Sequence, residues 1–204
     1  MTKYIDRYYL NGELYGIKFA GWSRLPSEYQ EVEYIQGTWT QYINTWIWCT
    51  LDTVVEMKIN IQDATESVVM WTLWWYNANF LMCYQNNLRW HCNDYVDIPC
   101  SLDTDYTIKT ENWQITVNWT SYTNTPTSFM YPYNLSIFAS TYNLNMPRWQ
   151  FKIYYFNMYN NNTLVRDLVP CYRIADSAIW MYDLVNDVFY TNAWTWTFTK
   201  WPNI

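Results

Sequence analysis

The chain has 204 residues, of which 50% are hydrophobic and 15% are charged. This balance predicts a folded protein with a sizeable core and excludes an intrinsically disordered chain. The chain has 18 acidic residues against 12 Lys and Arg, a net charge of −6, whereas a protein that binds a phosphate backbone needs a basic surface. Nucleic acid is therefore not expected as a partner.

Neither a membrane span nor a signal peptide is expected. A spanning helix needs about 18 consecutive apolar residues, and the densest apolar run, residues 68–76, is far shorter. Residues 1–10 carry charges where a signal peptide has its apolar region, so synthesis in the cytoplasm is expected. The five cysteines have no CxxC spacing, which favours buried free thiols over a disulfide framework or a zinc ribbon.

Residues 1–24 differ in character from the rest of the chain. They hold three of the four glycines, and Asn11-Gly12 is a hairpin signal between two short runs, residues 8–10 and 13–15. We predict an N-terminal hairpin or tether over residues 1–24. Pro26 then favours an extended entry into a separate domain over residues 25–204.

From there the hydrophobic pattern alternates with a period of two, and helical periodicity is almost absent. Val55, Met57, Ile59 and Ile61 share one face of a half-buried strand. Further strands are predicted at residues 31–35, 80–85, 88–93, 106–110, 114–117, 135–139, 151–158, 164–169, 179–183 and 188–191. We therefore predict an all-β fold, a two-sheet antiparallel jelly-roll sandwich.

The glycine and tryptophan counts are anomalous. No glycine follows Gly37, although average usage predicts about 12 in that stretch, and 14 of the 15 tryptophans lie there. Asn112-Trp113 and Asn118-Trp119 flank a short strand where Asn-Gly would form type I′ turns. We hypothesise that the gene uses UGA as a glycine codon and that the sequence was translated with UGA as tryptophan. The alternative is that these tryptophans are genuine and pack in a core or stack on sugars.

Four segments resemble a known domain: residues 25–35 (LPSEYQEVEYI), 40–45 (TQYINT), 162–173 (NTLVRDLVPCYR) and 181–192 (MYDLVNDVFYTN). They are similar to a concanavalin A-like (laminin G-like) lectin/glucanase-fold domain found in phage and prophage tail or minor structural proteins and in bacterial surface proteins. In that family, glycine is expected at positions 39, 194, 196 and 201, where this chain has tryptophan. The resemblance implies a virion or extracellular location, with host surface carbohydrate and other virion proteins as partners.

No catalytic constellation is found. The glucanases of this fold carry a Glu-x-Asp-x-x-Glu strand that places carboxylates across the glycosidic bond, and this chain has no such string. Glu31 and Glu33 share a strand face, but the solvated face of an edge strand is the favoured explanation for them. We expect no catalytic residues and no enzymatic activity.

No metal site or cofactor is predicted either. The single histidine, His91, has Cys83 and Cys100 not far off in sequence, but the spacings are not those of zinc modules. Asp103 and Asp105 could offer oxygens to calcium, and a polar loop that enters the next strand explains them as well.

Aromatic residues make up 22% of the chain, including 21 tyrosines. Tyrosine suits both sugar stacking and protein interfaces, and it also favours strands. The candidate ligand-facing patch is the cluster near one predicted hairpin, which consists of Tyr84, Arg89, Trp90, His91 and Asp94.

Two functions follow from these expectations. The first is a non-enzymatic carbohydrate-binding or adhesion module of a phage tail or virion protein that contacts host glycans. The alternative is a purely structural module that forms homo-oligomers in a fibre or bacterial surface adhesin.

Overall fold

In a computed structural model, the described residues are 8–10, 13–15, 24–37, 41–50, 52–63, 66–72, 79–92, 94–124, 134–138, 150–191 and 198–204. Within these ranges the chain forms strands and turns and no helix. The strands are β1 (Tyr8–Leu10), β2 (Glu13–Tyr15), β3 (Tyr29–Gln36), β4 (Ile43–Trp48), β5 (Thr53–Ile61), β6 (Glu66–Trp71), β7 (Asn79–Tyr84), β8 (Asn87–Cys92), β9 (Asp94–Pro99), β10 (Asp105–Glu111), β11 (Gln114–Val117), β12 (Thr120–Thr123), β13 (Asn134–Ile137), β14 (Phe151–Asn160), β15 (Thr163–Arg173), β16 (Ile179–Asp183), β17 (Val188–Tyr190) and β18 (Thr199–Asn203).

The strands form three antiparallel sheets. β1 and β2 pair with each other, with Tyr8 opposite Tyr15, as the hairpin signal predicts. A ten-stranded sheet has the order β12-β11-β10-β5-β14-β3-β15-β16-β17, with β18 also paired to β3. A six-stranded sheet has the order β4-β13-β6-β7-β8-β9. No helix in the described part of the chain is long and apolar enough to cross a membrane.

The core lies between the two large sheets. Alternate residues of β5, including Met57 and Ile59, face it from the ten-stranded sheet and are fully buried. Leu81 and Leu88 face it from the six-stranded sheet and belong to the same cluster of buried residues. The predicted all-β, two-sheet antiparallel sandwich is therefore confirmed, while its jelly-roll topology stays a prediction.

Five strands were not predicted: β4, β6, β9, β12 and β18. β12 (Thr-Ser-Tyr-Thr) is almost wholly exposed, so its sequence has no alternation of apolar residues to reveal it. β18 contains Pro202, yet its backbone pairs with β3 from Thr199 to Asn203. Proline is compatible with β18 because, among the described strands, β18 pairs with β3 alone, as an edge strand does.

In the described part of the chain, four two-residue turns have both central residues at positive φ, as a type I′ hairpin requires. Two of them, Gln85-Asn86 and Asn161-Asn162, have asparagine second. The other two are Asn112-Trp113, with φ of 40° and 64°, and Asn118-Trp119, with φ of 44° and 74°. The turns predicted at these two positions are confirmed, and each places an indole where glycine or asparagine is normal.

A third tryptophan at positive φ lies in a bulge of β4. Trp46 has φ of 57°, and the pairing of β4 with β13 shifts by two residues around it. Its amide donates to Asn44 Oδ1 at 2.8 Å. By contrast, Trp90 and Trp180 are buried core residues that do not have positive φ. The described tryptophans therefore include both ordinary core residues and residues in a glycine-like conformation.

Trp39, Trp194 and Trp196, at which the resemblance also implies glycine, lie outside the described residues.

Candidate functional site

The candidate site lies on the outer face of the six-stranded sheet, across β7, β8 and β9. Because side chains alternate along a strand, Leu88 and Trp90 of β8 face the core, and Arg89 and His91 face outward. The register sets Arg89 opposite Asp97, and His91 opposite Tyr95.

Arg89 is the centre of this surface. Its guanidinium carbon lies 4.7 Å from the ring centroid of Tyr84 and 4.5 Å from that of Tyr95, which is cation–π distance. Its Nε and Nη2 donate to the two carboxylate oxygens of Asp97, each at 2.7 Å. We call Tyr84, Arg89, Tyr95 and Asp97 the tyrosine–arginine patch.

The ion pair is electrostatically well matched. Hydrogen bonding from Arg89 holds the pKa of Asp97 below its ordinary value, and the same bond raises the pKa of Arg89. The two side chains remain about a quarter to a third exposed. The patch therefore carries two fixed, opposite charges that cancel while both side chains still meet solvent.

Two of the five predicted site residues lie elsewhere. Trp90 is only 2% exposed and belongs to the core, so its inclusion in a ligand-facing surface is corrected: it supports the sheet from below. Asp94 is exposed, but it lies opposite Cys92 on the face of Val96 and Ile98, at the end of β9. Its backbone carbonyl accepts a hydrogen bond from Asn124 Nδ2 at 2.7 Å. This bond anchors the residue that follows β12 to the start of β9.

The structure brings together Tyr84, Arg89 and His91 and adds two residues that the sequence reasoning missed, Tyr95 and Asp97. Both come from β9, which was not predicted as a strand because two aspartates and a proline interrupt its apolar pattern. The signal in the sequence was the alternation of the polar-tipped Tyr95 and Asp97 with the apolar Val96 and Ile98, which is typical of a strand with one buried face.

A small apolar cluster adjoins the patch on the same outer face. It is centred on Val68 and Met82, which are 2% and 8% exposed, and Tyr42, Trp71 and Tyr84 pack against it. Tyr84 belongs to both groups, so one surface combines aromatic, apolar and paired charged groups.

The histidine and the nearby cysteines do not converge. His91 points outward, whereas Cys83 is fully buried on the core side of β7. Cys83 instead meets Cys100, with their sulfurs 3.3 Å apart. Among the residues that the structure describes, no three His, Cys, Asp or Glu side chains are grouped to hold a metal.

The two aspartates considered for calcium are engaged by protein donors. Asp105 Oδ1 accepts from Asn60 Nδ2 at 2.7 Å, and its other oxygen pairs with Lys58 at 2.8 Å. Asp103 Oδ1 accepts from Gln62 Nε2 at 3.0 Å. These bonds account for Asp103, in the loop before β10, and for Asp105, the first residue of β10.

Glu31 and Glu33 lie on an interior strand, so their description as an edge strand is corrected. β3 pairs with three strands, β14, β15 and β18. Glu31 forms an ion pair with Arg24, which connects the segment before β3 to the sheet.

No protein-family model matches the chain, and no curated protein matches it in sequence. The resemblance to a concanavalin A-like domain therefore stays a prediction made from the quoted segments.

Proposed function

We propose that the chain is a non-enzymatic carbohydrate-binding or adhesion module, and that the tyrosine–arginine patch contacts the glycan. The observation that carries this proposal is the solvent-facing cluster in which the Arg89 guanidinium lies at cation–π distance from the rings of Tyr84 and Tyr95. Aromatic rings offer an apolar face to the C–H face of a sugar ring, while polar groups around them bind hydroxyls.

The hydrogen-bonding capacity of the patch suits a polyol. A guanidinium has five N–H donors and a carboxylate has about four lone-pair sites, and the Arg89–Asp97 pair uses two of each. About three N–H donors and two lone-pair sites remain for sugar hydroxyls. Because the two charges cancel, the patch favours a neutral sugar over a strongly charged ligand.

The setting of this module in a phage or prophage tail, or another virion structural protein, rests on the four segments that resemble a concanavalin A-like domain. Host surface glycan and neighbouring virion proteins are then its partners.

The proposal includes glycine at the positions where tryptophan has a glycine-like backbone. Trp46, Trp113 and Trp119 support it because all three have φ between 57° and 74°. Sequencing the gene tests this part: UGA codons are expected at all three positions, and UGG codons there would end the hypothesis.

A glycan array probed with the glycine-restored chain tests the binding function. Tyr95→Ala removes one ring that is 56% exposed, so we expect glycan binding about 3- to 10-fold weaker with the fold retained. Tyr154→Ala is the matched control, since Lys58 lies 4.5 Å from the Tyr154 ring centroid in a similar cluster on the other sheet. Equal losses in both variants would refute the assignment of the site.

One feature favours the alternative, a structural oligomerisation module. In the described part of the ten-stranded sheet, β12 is the end strand and pairs only with β11. An exposed edge strand is a template for pairing with another chain. Absence of binding to every glycan on the array, together with a stable oligomer in solution, would favour this function.

A further inference from the structure

Two cysteines that lie in, or directly after, strands separated by one strand meet in the six-stranded sheet. Cys83 lies in β7, and Cys100 follows the end of β9, with β8 between these strands. The Cys100 amide donates to the carbonyl of Asn86 in the β7–β8 turn at 2.9 Å, which holds Cys100 beside β7. The two sulfurs are 3.3 Å apart.

We propose that Cys83 and Cys100 are a redox cross-linking site that closes to a disulfide when the protein meets a low-molecular-weight disulfide oxidant. A disulfide bond is about 2.05 Å long, so the sulfurs must approach by about 1.3 Å. Cys100 lies beyond the last residue of β9, so its side chain can move without breaking the β8–β9 ladder.

The two thiols have different roles because their environments differ. Cys83 is fully buried, and its hydrogen bond with Cys100, together with burial, raises the pKa of Cys83. The same hydrogen bond lowers the pKa of Cys100, which is half-buried. Cys100 is therefore the thiol that an oxidant reaches first, since the thiolate is the attacking species.

The reaction is a pair of thiol–disulfide exchanges. The Cys100 thiolate attacks one sulfur of glutathione disulfide and releases one glutathione as thiolate, which takes up the proton that Cys100 lost. Cys83 then loses its proton and attacks the Cys100 sulfur of the mixed disulfide, releasing the second glutathione. The two cysteines are oxidised, and one glutathione disulfide is reduced to two glutathione thiols.

The cross-link would fasten the strands that carry the tyrosine–arginine patch. The loop that it closes runs from residue 83 to residue 100 and contains β8 and β9. Such thiols stay reduced in the cytoplasm and oxidise outside the cell. The inference is independent of glycan binding, because it concerns only the thiol pair.

Oxidation of the full chain with glutathione disulfide, followed by unfolding and trypsin digestion, tests the proposal. Cleavage after Lys58, Arg89 and Lys109 separates residues 59–89, which contain Cys83, from residues 90–109, which contain Cys92 and Cys100. We expect these peptides linked, with fragment ions that place the bond at Cys100, and a loss of two of the five thiols. The oxidised chain should melt about 6 to 12 °C higher than the reduced chain.

Two variants complete the test. Cys100→Ser should abolish both the linked peptide and the rise in melting temperature. Cys171→Ala should retain both, because Cys171 is buried in a separate cluster, where burial raises its pKa to about 12. A stable glutathione adduct on Cys100, a bond from Cys83 to Cys92, or five thiols after oxidation would each overturn the proposal.

Discussion

Trp119→Gly is expected to make the protein more stable, although it removes the largest side chain in the turn. Trp119 has φ of 74° and is 67% exposed at the tip of the β11–β12 hairpin. Trp46, at the bulge of β4, has a similar backbone conformation and exposure, with φ of 57° and 70% of its surface exposed. Both indoles contribute little to the core, so the backbone effect dominates.

The magnitude follows from the left-handed backbone. A residue with a Cβ in this region costs about 1–2 kcal/mol, and glycine avoids that cost. Glycine also loses about 0.5–1 kcal/mol more in chain entropy on folding, which offsets part of the gain. We expect a net gain of about 0.7 kcal/mol at each site. Trp46→Gly and Trp119→Gly together should therefore raise the melting temperature by about 3 to 6 °C.

Urea unfolding and thermal melting of the single and double variants measure this gain. Trp119→Ala is the matched control, because it removes the indole and keeps the Cβ, so it should give no comparable increase. Trp90→Ala should lose about 3–5 kcal/mol, since Trp90 is 2% exposed in the core and lacks a positive φ. If Trp119→Ala stabilises as much as Trp119→Gly, or if the glycine variants destabilise, the reasoning from φ is wrong.

Two further predictions concern ion pairs. Arg166→Met should lower the free energy of unfolding in urea by about 3 kcal/mol. Arg166 donates to the Thr45 carbonyl of the other sheet and pairs with Asp183, which is 0% exposed. A loss below about 1 kcal/mol would contradict this prediction. Asp97→Asn should flatten the acid dependence of stability. The lowered pKa of Asp97 means that its pair with Arg89 stabilises the fold by about 0.5–1 kcal/mol above about pH 4 and loses that contribution as the pH falls through the folded pKa. If the free energy of unfolding of the two proteins changes equally with pH from pH 7 down to about pH 2, the prediction for Asp97 is refuted.

The strands with a buried face were predictable because the core imposes alternation on the sequence. β5 and β10 show it directly, and each buries alternate residues against the other sheet. The hairpin turns were predictable as well, because asparagine tolerates positive φ and marks these positions even when its neighbour is tryptophan.

The candidate site was harder to predict because it depends on register between strands. Arg89 and Asp97 are eight residues apart, and only the pairing of β8 with β9 sets them opposite each other. Trp90 was assigned to the outer face because its chemistry suits a sugar. Neighbouring residues on a strand face opposite sides of the sheet, so Trp90 faces the core although Arg89 and His91 face outward. The contact between Arg166 and Thr45 joins residues of different sheets, so no local sequence pattern predicts it.

The tyrosine–arginine patch lies at the opposite edge of the six-stranded sheet from Trp46, a tryptophan with a positive φ, and this distance decides what the binding proposal depends on. None of the four patch residues is a tryptophan, and the exposed indoles of Trp46 and Trp48 lie on β4, at the opposite edge of the sheet from β9. Glycine at position 46 would remove an exposed aromatic side chain from that edge and leave Arg89 between its two rings. Under the decoding hypothesis the aromatic surface loses the exposed indole of Trp46, whereas the tyrosines and paired charges of the patch are not tryptophan positions.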